Sequence, residues 1–265
     1  MLTTLLTYAV AGAVVGILAG LFGIGGGLVI VPMLIYMFSL QNIPHELIMH
    51  LALGTSLASI IFTSISSFLS HHKRGAVHWD IVKKIVVGIF TGTLLGSWIA
   101  SGLSTNFLKI FFVIFLYFVA TQLLFNKKPK PGREVPGPLG MFGTGNIIGM
   151  FSSLVGIGGG TLSVPFMLWC NINAHHAIGT SAAIGLPIAF AGAIGYIFNG
   201  WNVPNLPPYS LGYVYLPALF GIAAISVLTA PLGVKLAHSL PVERLKQIFS
   251  ILLYIVATRM LLGAL

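Results

Sequence analysis

Apolar residues gather in ten blocks along this chain of 265 residues. They fall near 3–22, 28–40, 47–69, 85–103 and 107–125, then near 139–155, 161–172, 177–198, 214–236 and 245–262. Most blocks approach or exceed the roughly 20 residues a helix needs to cross a hydrocarbon core. The second block in each group of five is shorter. About 12 residues at about 1.5 Å each make roughly 18 Å, well under a roughly 30 Å core. These two blocks are expected to be half-helices or tilted, partly crossing ones. The pattern predicts an all-α polytopic membrane protein.

Charge sharpens the picture. No Asp, Glu, Lys or Arg precedes Glu46, none lies between Lys84 and Lys109, and none lies between Glu134 and Lys235. The chain is 57% hydrophobic and 6% charged, against roughly 25% charged in a soluble domain. No soluble fold of this size hides so much apolar surface, so the solvent around most of it is lipid. The net charge of +9 does not point to nucleic acid, because the basic residues fall in short loops rather than along one face. Cys170 is the single cysteine, which excludes internal disulfides and Cys-based metal sites. The opening MLTTLLTYAVAGAVVG has no basic n-region and reads as a first membrane helix rather than a cleaved signal. No GxxxxGK[ST] fingerprint occurs, so neither ATP drive nor a cofactor is expected.

An internal repeat organises the blocks. Gly23-Ile24-Gly25-Gly26-Gly27 recurs as Gly156-Ile157-Gly158-Gly159-Gly160, and Val31-Pro32 as Val164-Pro165, both at an offset of 133. Ala52-Leu53-Gly54-Thr55-Ser56 matches Ala177-Ile178-Gly179-Thr180-Ser181 at an offset of 125, which also pairs His50 with His175 and Gly75 with Gly200. Leu108-Lys109 pairs with Leu245-Lys246, and Ala120-Thr121 with Ala257-Thr258, at an offset of 137. The order is preserved and the offsets drift only by loop length, which points to duplication. A first transmembrane repeat over 1–126, a linker over 127–138 and a second repeat over 139–265 follow.

Basic residues orient the repeats. Lys73, Arg74, Lys83 and Lys84 follow the third block, Lys127, Lys128, Lys130 and Arg133 the fifth, and Lys235, Arg244 and Lys246 the ninth. Placing all of these in the cytoplasm leaves only Lys109 and Arg259 outside. The third block then ends inside, whereas its counterpart ends at the uncharged stretch 199–213, outside. The expected architecture is therefore two inverted-topology repeats in a bacterial-type inner membrane, an arrangement frequent in secondary transporters.

The glycine runs carry the candidate site. GxGGG between two apolar blocks permits backbone conformations other residues resist. In hydrocarbon such a break survives only when buried in protein or lining a wet cavity. The short helix that follows presents free N–H donors and roughly half a positive charge. Two such starts facing each other would bind an anion without any formal charge. Gly23, Gly25, Gly26, Gly27 and Pro32 in one half, with Gly156, Gly158, Gly159, Gly160 and Pro165 in the other, are candidate substrate-binding residues. Close helix packing through small residues is the competing reading. Thr55, Ser56, Thr180 and Ser181 could donate to oxyanion oxygens, or bond their own helix backbone. His50 and His175 are the candidates for proton coupling, with an interfacial location as the alternative. No carboxylate or thiol cluster accompanies them, so no metal site is expected. His71 and His72, beside Lys73 and Arg74, read as cytoplasmic loop residues. Trp79, Trp98, Trp169, Trp201 and the Tyr209–Tyr215 stretch read as interfacial anchors.

At the two glycine motifs, Gly20–Pro32 (GLFGIGGGLVIVP) and Gly149–Pro165 (GMFSSLVGIGGGTLSVP), the sequence resembles the sulfite exporter TauE/SafE family, also called the toluene sulfonate uptake permease family. The downstream Gly-Thr-Ser pairs and the Arg74-Gly75 turn agree, and the resemblance spans about residues 5–262. It implies a small anionic substrate such as sulfite, thiosulfate or an organosulfonate. The helix-terminus argument supports an anion, but not sulfur. The expected partners are this anion and the lipid bilayer, and the assembly to consider is a homodimer. A rival reading is a cation or metal permease using the histidines, against which the lack of acidic residues in the spans counts. An intramembrane Ser–His hydrolase would need a nucleophile beside a base, and GxSxG is missing.

Overall fold

The computed structural model describes residues 2–22, 26–125, 132–239 and 242–263. Among these, ten helices follow the ten apolar blocks: α1 (Leu2–Phe22), α2 (Gly27–Leu40), α3 (His45–His72), α4 (Trp79–Ser101), α5 (Thr105–Phe125), α6 (Pro138–Val155), α7 (Gly160–Trp169), α8 (Ala174–Gly200), α9 (Leu216–Ser239) and α10 (Val242–Leu261). The fold is all-α and of membrane type. Five helices, α3, α4, α5, α8 and α9, are long and apolar enough to cross a membrane. At about 1.5 Å per residue, α2 with 14 residues and α7 with 10 are roughly 21 and 15 Å long.

Two details differ from the sequence pattern. Helix α4 begins at Trp79, six residues before the expected block. Asp80, Lys83 and Lys84 are exposed on its first turns while Ile81, Val82 and Ile85 point inward. A charged first turn reads as loop by hydropathy, yet an acidic residue near a helix N-terminus is favourable. Between α8 and α9 a small antiparallel hairpin joins β1 (Ser210–Leu211) to β2 (Val214–Tyr215).

Helices α3 and α8 form the centre. Their apolar stretches are 83% and 67% buried, against 39–44% for α4, α5 and α9. The outer helices expose Val87, Trp98, Ile114, Phe118, Leu228 and Ile251, an apolar surface suited to lipid. Packing is reciprocal between α1–α5 and α6–α10. Helix α1 lies on α9 and α4 on α6; α3 lies on α9 and α8 on α4; α3 meets α8 and α5 meets α10. Renumbering each helix as its repeat counterpart returns the same set of pairs.

Two of these seams are made of glycine. In α1, Gly12, Gly16 and Gly20 sit against the backbone carbonyls of Ile222, Ser226 and Ala230; in α4, Gly88, Gly92 and Gly96 sit against those of Phe142, Asn146 and Met150. A four-residue spacing puts each trio on one helix face, and any Cβ there would strike the neighbouring backbone. Tyr117 and Tyr254 cross between α5 and α10 in the same reciprocal way. Tyr117 Oη lies 2.8 Å from Thr258 Oγ1, and Thr121 Oγ1 lies 2.6 Å from Tyr254 Oη.

Candidate functional site

Helices α2 and α7 both start from a left-handed glycine. Gly26 has φ 82° and Gly159 has φ 78°, conformations that favour glycine because a Cβ would crowd the following carbonyl. No side chain caps either helix. Within α7 the first intrahelical bonds are those from the Leu162 and Ser163 amides to the Gly159 carbonyl, at 3.0 and 2.8 Å. The amides of Gly160 and Thr161 therefore have no intrahelical acceptor. The same pattern holds at α2, where Val29 and Ile30 donate to Gly26.

These two breaks lie against each other. A Cβ on Gly27 would stand 2.8 Å from Ile157 Cα and would strike the Gly156 carbonyl. Gly156, itself at φ 70°, packs on Val31 of α2 and Leu53 of α3. Ser56 of α3 donates to the Gly156 carbonyl at 2.7 Å. Ser181 Oγ lies 2.8 Å from Ser163 Oγ of α7. A Cβ on Gly185 of α8 would stand 3.0 Å from the Gly158 carbonyl oxygen and 3.1 Å from Ser64 Oγ of α3. Gly26, Gly27, Gly156, Gly158, Gly159, Gly160, Ser56 and Ser181 are thus brought together and buried. Gly23 and Gly25 lie outside the described residues.

The other predicted residues stand elsewhere or act differently. Pro32 lines an apolar groove between α2 and α10 with Leu28, Met33, Tyr36 and Arg259. Pro165 is half-buried within α7. Thr55 and Thr180 are fully buried and accept rather than donate across the molecule. The Tyr215 amide donates to Thr55 Oγ1 at 2.9 Å, and the His78 amide donates to Thr180 Oγ1 at 2.9 Å. Beside them, Gly54 admits the Tyr213 carbonyl and Gly179 the Ala76 carbonyl. Each Gly-Thr pair therefore clasps the chain entering α9 or α4 in the opposite half.

The two histidines that the sequence offers for proton coupling differ in environment. His50 is buried, stacked on Tyr213 at 5.0 Å between ring centroids, with Nδ1 3.2 Å from the Glu46 carbonyl and Nε2 3.1 Å from the Ala100 carbonyl. His175 is exposed at the start of α8. His71 and His72 are the last residues of α3 rather than loop residues, and His71 is buried with Nε2 3.2 Å from the Gly20 carbonyl. Trp79, Trp98, Trp169, Trp201 and Tyr209 are well exposed, but Tyr213 is buried. Among the described residues no group of three or more His, Cys, Asp or Glu could hold a metal ion.

Sequence reasoning drew no binding role for four hydroxyls beside the second break: Ser152 and Ser153, which it weighed only as hydrolase nucleophiles, and Thr161 and Ser163, all buried. Ser153 donates back to the Met150 carbonyl at 2.9 Å. Ser152 Oγ and Thr161 Oγ1 have no hydrogen-bond partner. The signal was available as adjacent serines in an apolar block ending at a glycine run.

Two left-handed glycine turns meet within this apolar helical bundle, and comparison with known proteins decides the family. The sulfite exporter TauE/SafE profile matches residues 8–260. The chain belongs to the sulfite exporter TauE/SafE family. It is similar to a "Probable membrane transporter protein" of Haemophilus influenzae, 41% identical over 99% of this chain and 100% of that one. A protein of the same description in Methanocaldococcus jannaschii is 28% identical over 96% of this chain and 94% of its own. One from Bacillus subtilis is 27% identical over 72% and 77%. No solved structure matches the chain significantly. As a TauE/SafE member with these relatives, the chain is a multi-pass membrane transporter and not an enzyme.

Proposed function

We propose that this TauE/SafE transporter is a secondary carrier of a small anion, working by alternating access about a midplane site between two inverted repeats. The observation that carries this reading is the contact of the two uncapped breaks, Gly27 against Gly156 and Ile157. Two helix starts whose first amides have no acceptor within their own helix favour negative charge without a buried cation. The family description names sulfite, and the resemblance widens the proposed cargo to thiosulfate or an organosulfonate. The repeats span 1–126 and 139–265, joined by the 127–138 linker. Reciprocal bonds such as Tyr117–Thr258 and Tyr254–Thr121 support a pseudo-twofold relation. Opposite orientation follows if each half, with its five helical elements, carries the chain an odd number of times across the membrane.

In this reading the glycine turns, with Ser56 and Ser181, form the binding region. The Gly-Thr clasps join the halves, which rock or gate around it. His50 and His175 are the groups that would couple protons, and a homodimer in the inner membrane is the working assembly. Purified protein in liposomes tests the reading. Saturable uptake of labelled sulfite, thiosulfate or a sulfonate is expected, with mutual competition. A protein-dependent anion flux absent across the whole panel would refute it.

A further inference from the structure

The two breaks are repeat-related in backbone but not in side chains. Subtracting the offset of 133 places Ala19, Leu28 and Ile30 opposite Ser152, Thr161 and Ser163. All six are buried. Each of these three hydroxyls therefore has an apolar counterpart in the first half. Two of those hydroxyls, Ser152 Oγ and Thr161 Oγ1, are sealed from solvent with no partner. Ser152 is 0% exposed and Thr161 8% exposed. A buried hydroxyl that bonds nothing is costly, of the order of 1–3 kcal/mol, and native structures rarely keep one without use. Ser152 Oγ stands 3.4 Å from where a Cβ on Gly159 would be, so it faces the turn that starts α7. Thr161 is in the first turn of the same helix, whose Gly160 and Thr161 amides have no intrahelical acceptor.

We propose that only the second break binds the anion, and that Ser152 and Thr161 are the donors that select a substrate with several oxygens on one centre. This rests on the anion-carrier reading and narrows it. One oxygen is held by the α7 amides and others by the Ser152 and Thr161 hydroxyls, so an oxyanion meets these donors through separate atoms where a halide would meet them through one. Leu28 and Ala19, their counterparts in the first half, offer no side-chain donor, and Leu28 faces the groove between α2 and α10. Ser163 is occupied with Ser181 and is not a determinant.

Sulfite binding to the full-length protein in nanodiscs, with chloride as competitor, tests the assignment. Wild-type protein is expected to bind sulfite saturably and to resist chloride. Losing a hydrogen bond to a charged group costs about 10- to 100-fold in affinity, so Ser152→Ala and Thr161→Val should each weaken binding by about that factor. Thr161→Ser should restore it, and Leu28→Ala should stay within about twofold. Melting and size-exclusion profiles identify variants that fail to fold, for which Thr161→Ser and Leu28→Ala remain the informative pair. Wild-type binding that Thr161→Val leaves intact, or that Leu28→Ala weakens as strongly, overturns this assignment alone. No saturable binding of any oxyanion by the wild type overturns it together with the carrier reading.

Discussion

At the scale of single residues, the backbone of each glycine run matters more than its small size. Gly159 holds φ 78°, and a Cβ there would also collide with Ile188 of α8. Gly159→Ala should cost about 1–2 kcal/mol from backbone conformation alone, read as a lower melting temperature in detergent, and should reduce anion flux. The threonines obey different logic. In Thr180→Val the His78 amide loses its acceptor, and in Thr55→Val the Tyr215 amide does. Each should destabilise by about 1–3 kcal/mol, whereas Thr→Ser should recover most of the loss in a thermal melt. The importance of these positions was legible from their recurrence at an offset of 125. Their role was not, because the groups they hold lie 102 and 160 residues away. A hydroxyl's choice between donating to a ligand and accepting from a backbone is fixed only by what the fold brings beside it.

Helices were the most legible level, since each apolar block became one helix and both short blocks became short helices. The exceptions share a cause. Charged residues hid the first turns of α4, and the hairpin before α9 follows from turn geometry that hydropathy does not register. The glycine seams escaped for the opposite reason: Gly12, Gly16 and Gly20 sit within an apolar block and change nothing in its profile. Their consequence is measurable. A Cβ on Gly92 would stand 2.5 Å from Asn146 Cα, whereas one on Gly143, in the partner helix α6, meets nothing within 4 Å. Gly92→Ala should therefore lower stability by about 1–3 kcal/mol through overpacking. Gly143→Ala should raise it by about 0.5–1 kcal/mol through helix propensity. Opposite shifts in melting temperature from the same chemical change would locate the seam, and parallel shifts would count against it.

For the whole molecule, the decisive property is the relative orientation of the two halves. Reciprocal packing alone fits either a twofold axis along the membrane normal or one in the membrane plane. Charge separates these options. The turn after α3 carries Lys73 and Arg74, while the stretch after α8, from Trp201 to Tyr213, carries no charge at all. Retention of basic loops in the cytoplasm would place the two on opposite sides, the orientation proposed above. Both regions contain exposed residues, Arg74 and Tyr209, and the buried Cys170 is the single cysteine to replace. In a Cys170→Ser background, Tyr209→Cys should react with a membrane-impermeant maleimide in intact cells. Arg74→Cys should react only after permeabilisation. Labelling of both from one side would make the repeats parallel. The breaks would then open toward the same side, and one site could not be offered to the two faces in turn by exchanging the conformations of the halves.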